Sequence, residues 1–232
     1  MNRYTTQGIV LTRTDFGEAD RIITFLTPER GKVTAIAKGV RKSKSKLAGG
    51  IELFSVSDLT LLPGRGEIQT LMSTRLARHY GNIVKEIART QAAYEIIRLI
   101  NKATEEAPEP AYFHLLKKSF EALDNLDLDC KITELWFSIQ LLKLAGHAPN
   151  LRTDTEGAKL QQARSYEFHY DEMRFVPHDS KQGSYTTNDV KFMRLVLQAA
   201  TPKVLLRVEN AAKLAARVQP ITRSMLGSFV RA

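Results

Sequence analysis

The strongest constraint on this chain is a change in the spacing of its apolar residues near residue 80. Before that point apolar and polar residues alternate with period two, and after it they recur every three to four positions. Lys32 to Lys38 shows the first pattern cleanly: Val33, Ala35 and Ala37 share one face, with Lys32, Thr34, Ile36 and Lys38 on the other. Small residues inside and lysines outside suit the tight interior of a small barrel. The pattern predicts strands over Thr6–Arg13, Arg21–Leu26, Lys32–Lys38, Ile51–Leu62 and Glu67–Arg75. Tight turns fall at Thr27-Pro28-Glu29-Arg30-Gly31 and Pro63-Gly64-Arg65-Gly66, with a polar connection holding Gly17 at Asp15–Asp20. Five such strands with one long loop match a barrel of the oligonucleotide-binding (OB) type.

Beyond residue 80 the helical period takes over. Asn82 reads as the N-cap of a helix carrying Ile83, Ile87, Tyr94, Ile97 and Ile100. Pro108 and Pro110 interrupt it, and helices follow over Tyr112–Leu126 and Lys131–Ala145, the latter ended by Gly146 and Pro149. A polar, irregular stretch contains a candidate hairpin at Tyr166–Val176. A helix over Thr187–Ala200 and shorter ones broken by Pro202 and Pro220 complete the chain. The expected class is α+β multidomain: an OB-fold nucleic-acid-binding domain at 1–80, then an all-α domain at 81–232 with an irregular insertion at about 147–185.

Charge narrows the function. The net charge is +9, unevenly spread. Residues 1–80 carry 13 Lys and Arg against 7 Asp and Glu, residues 81–180 carry 12 against 16, and residues 181–232 carry 9 against 2. Two basic ends around an acidic middle suggest two anion-facing surfaces. The sharpest cluster is the loop after the third strand, where Lys38, Arg41, Lys42, Lys44 and Lys46 stand with no acid through Gly50. A flexible cationic loop of this kind can replace counterions along a phosphate backbone, and Gly39, Gly49 and Gly50 would let its backbone approach closely. Arg21, Arg30, Lys32 and Lys38 extend the sign onto the adjoining strands. The competing reading is a solvated charge run with no partner.

Other chemistries are poorly supported. The single cysteine, Cys130, excludes an internal disulfide and fits a reducing compartment. The run Ile9–Leu11 is too short for the core of a signal peptide, and no apolar stretch is long enough to span a bilayer, so a cytoplasmic protein is expected. Asp15, Glu18 and Asp20 form no recognisable metal site and read as a solvated connection. Trp136 has core spacing, whereas Phe54, His79 and Tyr80 could stack on bases. No nucleophile–base pair is recognisable, so no enzyme and no cofactor are expected.

The segment GKVTAIAKGVRKSKSKLAGGIELFS resembles the bacterial recombination mediator family RecO. The similarity continues in GIVLTRTDFGEADRIITFLTPERGK, PGRGEIQTL, GHAPNL and ITRSMLGSFV, and so covers the length of the chain. It implies a protein that binds single- and double-stranded DNA, anneals complementary strands and works with RecR. Such a protein helps RecA displace single-strand-binding protein (SSB) during gap repair, and would be cytoplasmic and nucleoid-associated in a bacterium. The acidic, Phe-terminated SSB tail would dock on the basic C-terminal third, where Lys191, Arg194, Lys203 and Arg207 lie near Phe192, Val196 and Leu206. Many members of that family hold zinc with four cysteines after the GHAPNL-like motif. Leu151–Ser180 has none, and His147, His169 and His178 are wrongly spaced for a tetrahedral site. A metal-free hairpin packed by Tyr166, Phe168 and Phe175 is expected instead. An alternative reading makes the protein chiefly an adaptor that docks the acidic tail, with DNA binding secondary.

Overall fold

The computed structural model describes residues 2–64, 66–104, 110–160, 165–178 and 183–231, with side chains through residue 228. Arg65 and Pro108, both assigned roles from sequence, lie outside these residues. The chain forms two compact units, Met1–Asp124 and Asn125–Ala232.

The first unit opens with strands β1 (Tyr4–Phe16), β2 (Asp20–Thr27) and β3 (Gly31–Ala37), followed after the basic loop by β4 (Ser55–Leu62) and β5 (Gln69–His79). They close into a barrel in the order β1-β2-β3-β5-β4. All neighbouring pairs are antiparallel except β3 with β5, joined in parallel at Ala35–Gln69 and Ile36–Thr70. The predicted hairpin is present: Thr27 pairs with Gly31, whose φ of 61° supplies the left-handed turn residue. Val33, Ala35 and Ala37 point inward, with Val10, Ile23, Phe25, Leu59, Leu61 and Leu71 filling the same core.

β1 and β2 also contain consecutive buried residues, Gly8–Leu11 and Phe25–Thr27, so both faces of the sheet are covered there. The outer cover comes from helices α1 (Ile87–Ala103) and α2 (Pro110–Asp124), which pack on β1 and β2. Phe54 and Phe120 meet edge-to-face at 5.7 Å, and Tyr80 stacks obliquely on Phe120. The change of hydrophobic period at residue 80 and the division of packing at residue 124 are therefore different boundaries. Asn82 does not cap α1 through its side chain. The helix begins four residues later, after a short 3-10 turn, and the Asn82 backbone N–H and side-chain amide bond Asp124 instead. Ile97 and Ile100 are buried as expected, but Ile87 is 80% exposed.

In the second unit, α3 (Cys130–Leu144) starts at an Asp129 N-cap and is buried on nearly every side. Trp136 is core, its Nε1 donating to the Ala199 carbonyl at 2.8 Å. A two-stranded hairpin, β6 (Ser165–His169) with β7 (Arg174–His178), lies between α3 and α4 (Thr187–Gln198) in sequence. It is held by Phe175 against Tyr166, Phe168 and Tyr185, all edge-to-face within 6.0 Å. A capping box of Thr186 and Asp189 starts α4. Arg217 on α5 (Ala211–Arg231) then bonds the buried Asp189 at 2.9 Å.

Pro220 does not break the last helix as its chemistry suggested; α5 runs through it. A mid-helix proline costs about 3 kcal/mol. Burial of Val218, Ile221, Met225 and Leu226 along one face contributes about 1.5–3 kcal/mol for each large apolar side chain, enough to offset it.

The closest backbone approach in the barrel is at Gly50, where an added Cβ would overlap the Thr74 side chain. Gly50→Ala is expected to destabilise the protein by about 1–3 kcal/mol in urea unfolding. Adding Thr74→Ala to the same chain should recover part of that loss.

Candidate nucleic-acid interface

The basic loop is not a flexible tether. Gly39, at φ 64°, turns the chain out of β3 while its N–H donates to Asp20 Oδ1 at 2.7 Å. The Arg41 N–H donates to the Ala19 carbonyl at 2.9 Å, tying the loop to the β1–β2 turn. Val40 and Ile51 sink into the barrel core at either end of the loop, with Leu47 and Ala48 packed against it. Turn bonds from Lys42 N–H to the Gly39 carbonyl and from Ser45 N–H to the Lys42 carbonyl order the middle. The glycines serve this fold: Gly39 supplies the left-handed turn and Gly50 the contact with β5, while Gly49 is exposed with nothing near its missing Cβ.

Anchoring the backbone sends the charges outward. Lys38, Arg41, Lys42, Lys44 and Lys46 are exposed. Among the described residues no carboxylate pairs with Lys38, Lys42, Lys44 or Lys46. Arg21 and Arg41 share one counter-ion, Asp15, at 2.7 and 3.5 Å. The hydrogen bond from Arg21 holds the Asp15 carboxyl below its ordinary value, and the charge on Arg41 adds to the effect. The acids of the β1–β2 connection thus brace cations and loop backbone. Among the described residues no group of three or more His, Cys, Asp or Glu side chains could hold a metal ion.

The proposed cations do not form one patch. Arg21 stands at the loop end of the β2–β3 hairpin, opposite Ala37, whereas Arg30 and Lys32 stand at its turn. Six residue steps along the strand separate Lys32 from Lys38, or about 20 Å. Arg30 lies over the Tyr4 ring at 4.0 Å, and the Tyr4 hydroxyl donates to Gln69. Between the two ends the outer face presents half-buried Ile22, Thr24, Thr34 and Ile36, with Thr24 and Thr34 hydroxyls 3.4 Å apart. Phe54 and Tyr80 are buried and cannot stack on bases, and burial pushes the Tyr80 hydroxyl up to about 12. His79 is exposed.

In the second unit the four basic candidates also separate. Arg194 donates to the Leu151 carbonyl at 2.7 Å and lines a groove of about 360 Å³ with Lys143, Arg152, Pro149 and Leu197. Lys191 lines another, of about 420 Å³, with Leu195, Val208 and Leu214. Lys203 and Arg207 lie on a short 3-10 turn, Pro202–Arg207. Phe192 and Val196 are buried and offer no surface anchor; Leu206 is exposed. Sequence reading missed Lys143 and Arg152 because they are distant in the chain from Arg194 and meet it only in the fold.

A closed five-stranded barrel in this strand order, bearing an anchored cationic loop and followed by helices, defines an OB-fold protein with an appended helical domain. The family within that class is RecO, to which this chain belongs. Its residues 1–80 match the model of the recombination protein O N-terminal domain, and residues 84–217 match that of the C-terminal domain. It is 36% identical over 150 residues to a protein of Dehalococcoides mccartyi named DNA repair protein RecO, covering 64% of this chain and 58% of the relative. Proteins of the same name from Desulfatibacillum aliphaticivorans and Rubrobacter xylanophilus are 35% and 31% identical, over 63% and 65% of this chain and 58% and 60% of their own lengths. These matches span less than two thirds of the relatives. Among the described residues no helix is long and apolar enough to cross a membrane.

Among the described residues Asp15 is the acid that pairs with both Arg21 and Arg41, so Asp15→Asn should raise affinity for any polyanion by freeing them. An increase of about threefold in oligonucleotide binding at low salt is expected, shrinking as salt is added. Unchanged affinity would mean that these two arginines face no phosphate.

Proposed function

We propose that this chain is a DNA-binding recombination mediator with no catalytic step of its own. It grips single- and double-stranded DNA through Arg21, Lys38, Arg41, Lys42, Lys44 and Lys46 at the loop end of the barrel. Arg30 and Lys32 form a second, separate contact at the β2–β3 turn. The observation that carries the proposal is the anchored loop itself: a backbone fixed at both ends by buried Val40 and Ile51, holding exposed lysines that no described carboxylate pairs with. Leaving like charges unpaired at close quarters is unfavourable unless a polyanion arrives to balance them. Strand annealing then needs no active site, because neutralising the phosphates of two strands removes the repulsion that keeps them apart. Membership of the RecO family supports placing this activity in DNA repair, in the bacterial cytoplasm at the nucleoid. There the protein would act with RecR on SSB-coated DNA to promote loading of RecA. Lys42→Ala, Lys44→Ala and Lys46→Ala combined should reduce affinity for all sequences alike. The salt-dependence slope should fall by roughly 0.7 for each single-strand phosphate that the variant no longer neutralises. An unchanged slope would remove the loop from the interface.

The adaptor reading is favoured by the groove beside Arg194. Its cations, Lys143, Arg152 and Arg194, line it together with the apolar Pro149, Leu151 and Leu197, a combination that suits an acidic peptide ending in an aromatic residue. Titration of a labelled SSB-tail peptide should show at least fivefold weaker binding to Arg194→Glu, on the order of 1 kcal/mol. Arg207→Glu should bind it normally. Loss in Arg207→Glu alone would place the tail on the 3-10 turn instead.

A further inference from the structure

β5 is longer than the barrel requires. Only Gln69 and Thr70 pair with β3, and from Leu71 to His79 the ladder has β4 on one side alone among the described residues. Burial stops at the same place: from Met72 to His79 every residue except the half-buried Thr74 is exposed. Two irregularities in the β4–β5 register, at Thr60/Leu61 and Val56/Ser57, set the side chains along this segment. Leu76 and His79 lie on the face of Thr74, opposite Ser57 and Ser55. Arg75 and Arg78 lie on the other face, opposite Asp58 and Val56.

The composition of this segment is unusual for a surface strand. Gln69–His79 contains no acid. Met72 and Leu76 are apolar yet 52% and 45% exposed, and the Arg75 side chain is 84% exposed. Arg75 touches Asp58 at 2.8 Å, an exposed pair that contributes little and yields readily to another anion. Arg78 lies 5.1 Å over the Tyr80 ring. The end of the basic loop rests directly on this strand, since Gly50 abuts Thr74. The loop's end thus meets β5 on the face of Thr74 and Leu76, while Arg75 and Arg78 stand on the opposite face of the same open strand.

We propose that this free segment of β5 is the single-strand-selective part of the DNA site. Arg75 and Arg78, on one face of the open edge, receive phosphates of a strand running along it, while Leu76 on the other face and Met72 at the register shift contact its unstacked bases. Only a single strand offers base faces to apolar side chains; a duplex offers phosphates alone at this position. A second copy of the chain is a poorer occupant, because edge-to-edge pairing would bring Arg75 and Arg78 against themselves. The inference rests on the reading that the loop end of the barrel binds DNA, and adds residues and a selectivity to it.

The test compares oligo(dT) and a duplex of equal length by fluorescence anisotropy across a salt series. Arg75→Ala/Arg78→Ala should weaken oligo(dT) binding about tenfold and lower its salt slope by roughly 1.4, the change expected when two phosphates go unneutralised. Arg75→Lys/Arg78→Lys should restore the slope. Met72→Ser/Leu76→Ser, both at exposed positions, should weaken oligo(dT) about threefold and leave the duplex unchanged, with unaltered thermal melting. If the Lys42/Lys44/Lys46 variant loses affinity and the β5 variants do not, the inference fails while the loop reading stands. No loss in any variant overturns both. Loss in the β5 variants alone supports the strand and removes the loop. Equal loss on single strand and duplex from Met72→Ser/Leu76→Ser overturns the assignment of base contacts.

Discussion

Two residue pairs turn the N-terminal sheet into a barrel. Where Ala35 meets Gln69 and Ile36 meets Thr70 in parallel, β3 and β5 join and the sheet loses its open edge over that stretch. Such a short closure holds because the interior beneath it is small. Ala35 and Ala37 leave room for Phe25, Leu59 and Leu71 to pack across the axis, and β1 and β2 are covered from outside by α1 and α2. The same brevity leaves β5 beyond Thr70 paired with β4 alone among the described residues, and gives the chain between β3 and β4 a barrel end to cross.

That crossing explains how a cationic loop can be ordered. Five positive side chains within nine residues repel one another and would favour an extended, mobile loop. Val40 and Ile51 counter this by burying apolar surface at both ends. Asp15 supplies a counter-charge for Arg41, and the Asp20 carboxylate accepts from the Gly39 N–H, where the loop leaves the sheet. Order of this kind matters to binding, since a loop already fixed loses little conformational entropy when a polyanion docks.

The second unit meets a different constraint. The hairpin β6–β7 is only five residues a side and too small to be stable alone. Phe175 provides its centre, touching three other aromatic rings, and backbone bonds between Tyr166 and Tyr185 attach it to the segment entering α4. Aromatic packing does here what thiolate–metal bonds would do in a cysteine-bearing hairpin.

Much of this was legible in the sequence. The alternation of Val33, Ala35 and Ala37, the turn at Thr27–Gly31, the aromatic hairpin, the core placement of Trp136 and the OB-plus-helices class all follow from local periodicity and side-chain chemistry, which tertiary contacts leave intact. Local signals misled where packing outweighs propensity. Asn82 bonds Asp124 rather than capping α1, Pro220 rides within α5 because the helix buries a whole face, and Phe54, Tyr80, Phe192 and Val196 are claimed by the interior. What tertiary structure alone decided is which charges stand together. Arg30 and Lys32 are near the basic loop in sequence but lie a strand's length from it, while Arg75 and Arg78, some thirty residues beyond it, stand on the strand that the loop's Gly50 end touches. The sequence determines that the protein carries cations on a barrel. Strand register and the point of closure determine where they point, because both depend on residues far apart in the chain.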